Sequence, residues 1–183
     1  MGRPGAFHNP HRPRLRAAPH RRWVWINAVA VTAIFNVVVN GVIARLSAIG
    51  MDDVPTWDWP LIGGTTIATD TAGTFFVLPF VTTLLLSLSI EVEMRRGRLT
   101  PIRPGDGPYP WLDQLPQPIL KRAFVTGGIV FGLFGPLSLL IVALVDPAPM
   151  TVTEFVTYKS ILGTVLGLLV TPLIAVRAMT RPA

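Results

Sequence analysis

The sequence predicts an all-α membrane protein of four transmembrane helices, with both termini on the cytoplasmic side. Three observations carry that expectation. Half of the 183 residues are hydrophobic and only 14% are charged, where a soluble domain carries charge on about a quarter. Four continuous apolar stretches each approach the ~20 residues that a helix needs to cross a bilayer core. The charges between them alternate in sign along the chain. The stretches are continuous rather than alternating, and lipid leaves no partner for an unpaired backbone group, so helices are expected rather than open strands.

The chain opens on a basic arm, residues 1–22. It holds Arg3, Arg12, Arg14, Arg16, Arg21 and Arg22, four prolines and no acid. With no periodicity and no apolar run, it reads as disordered. A basic tail that abuts an apolar span faces anionic lipid and fixes topology, so it is assigned to the membrane surface rather than to nucleic acid. Arg21-Arg22 faintly resembles a twin-arginine signal. The run that follows is too long, is interrupted by Asn36 and Asn40, and offers no small-residue cleavage site.

The transmembrane domain spans residues 23–181. Its helices are expected at about 23–47, 69–90, 123–145 and 152–176. The loop after the first holds Asp52, Asp53 and Asp58 without a cation. The loop at 91–122 is rich in arginine and proline, the third loop holds Asp146 and Glu154, and Arg177 and Arg181 follow the last span. Positive loops stay inside, which places the 91–122 loop and both termini in the cytoplasm of a bacterial plasma membrane. Within that loop Trp111 reads either as an interfacial anchor or as part of an irregular connector.

The second helix is hardest to bound. A start at Leu61, after Trp59-Pro60, would give ~46 Å of helix by Glu91, too long for an upright span. Either it projects from the membrane, or Gly63-Gly64 breaks it and a new start lies near Thr69-Asp70. Pro79, Pro136 and Pro172 interrupt the second, third and fourth helices and are expected to kink or loosen them.

Polar groups inside the spans are the candidate functional residues, because they are costly there. In the first helix Ala28, Thr32, Asn36, Asn40 and Ala44 recur every four residues and share one face. That stripe serves either as hydrogen-bonding glue between helices or as the lining of a polar path. In the third, Gly128-x-x-x-Gly132 has the spacing of a close-packing seat. The fourth opens on Thr151-x-x-Glu154, the form of a capping box. Lys159, Gly163, Gly167 and Thr171 then share a face. Gly163-x-x-x-Gly167 makes that a packing face, so Lys159 either points into protein or snorkels to the interface. Asp70 is the acid at similar depth in the second helix. It either caps that helix or pairs with Lys159, with Arg45 as a rival counter-ion. Burying either charge alone costs ~2.5–3.5 kcal/mol on insertion scales.

Catalytic chemistry is poorly supplied. There is no cysteine, and His8, His11 and His20 all lie in the arm. No imidazole reaches the apolar body as ligand or general base, and no phosphate-cradling Gly-Lys-Ser/Thr loop occurs. No enzyme activity, metal or cofactor is expected. The two halves, Phe35–Pro79 and Phe131–Pro172, share a pattern of helix, acidic turn and proline-broken helix. This raises a parallel two-helix repeat.

Several motifs resemble a family of bacterial four-span membrane proteins with no established activity. They are Asn36-x-x-x-Asn40, Val54-Pro55-x-Trp57, Asp70-x-x-x-Thr74-x-x-x-x-Pro79 and Arg95-Arg96-Gly97-Arg98, then Phe155-x-x-x-Lys159 and Val170-Thr171-Pro172-Leu173-Ile174-Ala175. The resemblance covers most of the chain after Ala30 and omits the basic arm. It implies fold and location, not activity. The expected role is a non-catalytic accessory or oligomeric membrane component, with a homo-oligomer or membrane-protein partner. The alternative is a small-solute or ion transporter or channel built around Asn36, Asn40, Asp70 and Lys159.

Overall fold

The computed structural model describes Ile26, Ala30 and residues 32–58, 64–105 and 107–180. The expected basic arm at 1–22 and the first turns of the first span lie outside the described residues. Among the described residues the protein is all-α apart from two short strands. The elements are α1 (Thr32–Ser47), β1 (Asp53–Val54), α2 (Ile67–Arg95), a 3-10 turn (Pro110–Gln114), α3 (Ile119–Val145), β2 (Met150–Thr151) and α4 (Val152–Met179). Helices α2, α3 and α4 are long and apolar enough to cross a membrane, and α1 is a shorter apolar helix.

Each long helix starts where its sequence supplies a cap. Thr66 caps α2, its hydroxyl accepting from the Thr69 amide, and Thr69 returns the bond to the Thr66 amide. The start is therefore Ile67, between the two sequence expectations. Two further α2 amides, Ile67 and Ala68, donate to the Pro55 and Thr56 carbonyls at 3.0 and 3.2 Å. Helix α4 starts at Val152 behind the capping box of Thr151 and Glu154. Thr151→Ala should cost about 1 kcal/mol of stability, read from thermal unfolding in detergent; an unchanged midpoint would show that the cap carries no load. Helix α3 begins at Ile119 behind Pro118 and ends on Asp146, which takes a left-handed φ of 40° and returns its amide to the Val142 carbonyl. Each long helix continues past its internal proline.

The helices pack in the order α1, α4, α2, α3: α1 rests on α4, α4 on α2, and α2 on α3. The α2–α3 seam is aromatic, with Phe80 edge-on to Phe124 at 4.9 Å and Phe75 stacked near Phe134 at 5.8 Å. Strands β1 and β2 pair antiparallel, Asp53 with Thr151 and Val54 with Met150. They lie over a cluster of Ala44, Ala48, Val54, Ile67, Val152 and Phe155, hereafter the strand end. Outward-facing positions stay apolar, Leu144 and Ile34 among them at 77% and 68% exposure. Such a surface suits lipid rather than water.

At the opposite end the proline-rich connection folds back on α4. The Ile102 amide donates to the Met179 carbonyl at 2.9 Å, and Leu99 and Ile102 join Ile90, Ala175, Ala178 and Met179 in a buried cluster. Trp111 is exposed on the 3-10 turn while its neighbour Leu112 is buried. Arg177 is wholly buried here. Its guanidinium donates to the Thr180 carbonyl at 3.1 Å and to the Leu115 carbonyl. It thus ties α4 to the connection. Arg177→Met should cost about 2–3 kcal/mol and open the Arg98–Lys121 stretch to trypsin. Unchanged cleavage would show that this docking contributes little.

Candidate functional site

One face of α4 carries a three-rung ladder. Lys159, Gly163 and Gly167, four residues apart, stack along the helix. Each meets a polar residue from a neighbouring helix. The Lys159 ammonium donates to Asp70 Oδ1 on α2, with the two side chains 7% and 12% exposed. Arg45, the rival counter-ion, is exposed. One step along, Thr71 and Tyr158 hydroxyls meet at 2.7 Å. Two adjacent residues of α2 therefore grip two adjacent residues of α4.

The other rungs are α1 asparagines seated on α4 glycines. A Cβ at Gly163 would collide with the Asn40 amide group, and one at Gly167 with that of Asn36. Both asparagines are buried. Asn40 Nδ2 donates to the Asn36 carbonyl at 2.9 Å. Ala44, on the same stripe, joins the strand-end cluster. Ala28 and the Thr32 side chain lie outside the described residues. In α3 the close approach falls on Gly127, where a Cβ would stand 2.9 Å from the Phe76 carbonyl oxygen. Gly128 and Gly132 have nothing within 4 Å. One residue turns a helix by about 100°, so the Gly128-x-x-x-Gly132 spacing marks the face beside the one that packs on α2.

Because α1 and α2 both lean on α4, a groove of about 1200 Å³ opens between them. Asn36, Asn40, Asp70 and Lys159 all line it, with Thr69 and Thr74 near the strand end. Its α2 wall then becomes apolar through Val77, Leu78, Val81 and Leu85. Two buried polar atoms beneath this groove, Asp70 Oδ2 and Asn36 Nδ2, have no hydrogen-bond partner among the described residues. Such orphans are costly in an apolar setting. The sequence pointed to Lys159 and Asp70 by their similar depth and by the packing face that Lys159 shares with Gly163 and Gly167. It gave no sign of Thr71 and Tyr158 beyond their places next to those charges.

Among the described residues no group of three or more His, Cys, Asp or Glu could hold a metal ion. A second, smaller cavity of about 350 Å³ lies at the other end beside Glu91, Gln117, Arg122 and Thr180. There Arg122 reaches from α3 to the Ser87 hydroxyl of α2 at 2.9 Å.

Comparison with family models, with curated proteins and with solved structures gives no match. The chain stands as a multi-helix protein with three long apolar helices, and no family is identified by the motifs that resemble one.

Proposed function

We propose that this chain is a non-catalytic integral component of a bacterial plasma membrane, with both termini cytoplasmic, and that its working surface is the groove between α1 and α2. One observation supports this most: four costly polar side chains, largely buried in the α1–α4 and α2–α4 seams, all line the same groove. Intramembrane ionisable groups mark functional sites by default. The arginine-rich loop and the basic arm lie on the cytoplasmic side in this reading, the arm against anionic lipid. The seams also fit a parallel two-helix repeat. Exchanging the halves turns the α1–α4 seam into the α3–α2 seam and maps the β1–β2 pair onto itself.

In this role the groove holds a guest: an apolar molecule or a neighbouring subunit. Val81 lies on its α2 wall and is 39% exposed. Native mass spectrometry of the solubilised chain should show a retained guest, lost in Val81→Trp, which fills the groove. A bare monomer for both proteins would contradict the reading. The Asp70–Lys159 pair favours a second reading, a small-solute or ion carrier. That reading requires flux in reconstituted vesicles that Asp70→Asn abolishes; no flux across a broad panel, with and without a pH gradient, would exclude it.

A further inference from the structure

The order of side chains along the groove names the guest. Resting on the groove reading above, we propose that it binds one membrane amphiphile whose head group carries an N–H-donating ammonium and whose acyl chain lies along α2.

The head end is set by what the floor lacks. Asp70 spends one carboxylate oxygen on Lys159 and leaves Oδ2 without a partner among the described residues. An ion pair with one free acceptor is neutral overall. It attracts no bare anion, and it gains a bond from a donor. One rung deeper than Asn40, Asn36 Nδ2 is a donor without a partner among the described residues, on a residue only 4% exposed. It suits an acceptor carried below the head, such as an ester carbonyl. The tail end is set by Val77, Val81 and Leu85, beyond the polar zone in the direction of the membrane interior. Both residues line the groove, and a bound guest reaches the Asn36 amide by drawing it off its Gly167 seat.

A partner helix fits less well. Helices dock in membranes through small residues that let backbones approach. Here the α2 wall from Val77 to Leu86 presents valine, leucine and threonine. The tight glycine seats at Gly163, Gly167 and Gly127 are used by Asn40, Asn36 and Phe76 inside the chain, and Gly73, open on the groove wall, is one small residue rather than a packing stripe. The volume exceeds the ~300–1,000 Å³ of a drug-sized pocket, which suits a long, flexible chain better than a compact solute.

The absence of cysteine allows a clean test. Single cysteines at Val81→Cys in the groove and Leu140→Cys on the exposed face of α3 carry a fluorophore. The full chain is placed in nanodiscs of phosphatidylcholine doped with bromine-labelled phosphatidylethanolamine or bromine-labelled phosphatidylcholine. These heads share a phosphate and a positive nitrogen, but only the first has N–H donors. Quenching at Val81→Cys should favour the ethanolamine lipid by about threefold, the scale of one hydrogen bond inside a membrane. Leu140→Cys should show no preference. The preference should vanish when Asp70→Asn and Lys159→Met are added together, a pair of changes that leaves no buried charge unpaired.

Equal quenching by both lipids at Val81→Cys, yet above Leu140→Cys, would overturn the head-group assignment and leave the groove reading standing. No excess over Leu140→Cys with either lipid would overturn both. Disulfide-linked dimers of unlabelled Val81→Cys would replace the amphiphile with a second copy of the chain.

Discussion

Lys159→Met should destabilise the protein by about 3–5 kcal/mol, the cost of leaving one member of a buried ion pair without its partner. The Asp70 carboxyl would then lose the ammonium that faces it across the α2–α4 seam. Asp70→Asn should be costly in the same way, since it strands the Lys159 ammonium, whose side chain is 7% exposed. The double variant should recover much of the loss, because two neutral side chains of similar size need no counter-ion. The recovery is the informative quantity. Residues in direct contact couple by about 0.5–3 kcal/mol, whereas distant ones add. Unfolding in mild detergent across the four proteins measures it. Simple additivity would mean that the two charges are solvated separately and that the ladder has no charged rung.

Gly163→Ala should follow in size, at about 1–3 kcal/mol, the scale of overpacking a well-filled seam. The added methyl would occupy the place of the Asn40 amide group and push it off the Asn36 carbonyl that it now donates to. The loss of that bond adds about 0.5–1.5 kcal/mol. Gly167→Ala should cost less, because the Asn36 Nδ2 it displaces has no hydrogen-bond partner among the described residues. Adding Asn36→Ala should then return most of the stability, since a methyl on each helix fills the space of one amide. An undiminished loss in Asn36→Ala/Gly167→Ala, read by the same unfolding assay, would show that the glycine is needed for something other than this seat.

These residues also show which parts of the structure could be read from the chain. The capping box at Thr151 and Glu154 is local, so spacing alone revealed it. The shared face of Lys159, Gly163 and Gly167 follows from helical geometry, and so does the stripe through Asn36, Asn40 and Ala44. Hydropathy found the ends at Ser47, Val145 and Val152 and missed those that charged residues extend. Helix α3 starts four residues before Ala123 because Lys121 and Arg122 extend the helix without extending the apolar run. Helix α2 likewise continues to Arg95 through Glu91 and Glu93, held by the Arg95–Glu91 contact at 2.8 Å. A glycine motif states a spacing and not a neighbour, and for that reason Gly128 and Gly132 were singled out where Gly127 makes the approach. The buried Arg177 resembles any arginine flanking a span; its role depends on the Leu115 carbonyl, more than sixty residues away in the chain. The groove was out of reach altogether. It exists because α1 and α2 both choose α4, and that choice is a property of the packing order.

One measurement addresses the packing order directly. Gly41 on α1 faces α4 so closely that a Cβ there would lie 3.0 Å from the Ser160 oxygen, a spacing that a disulfide can bridge. In membranes, Gly41→Cys/Ser160→Cys should oxidise to an intrachain disulfide, while Val39→Cys/Val77→Cys, from opposite walls of the groove, should stay reduced. A disulfide across the Val39 and Val77 positions with none across Gly41 and Ser160 would mean that α1 packs on α2, that the groove is closed, and that the account is wrong.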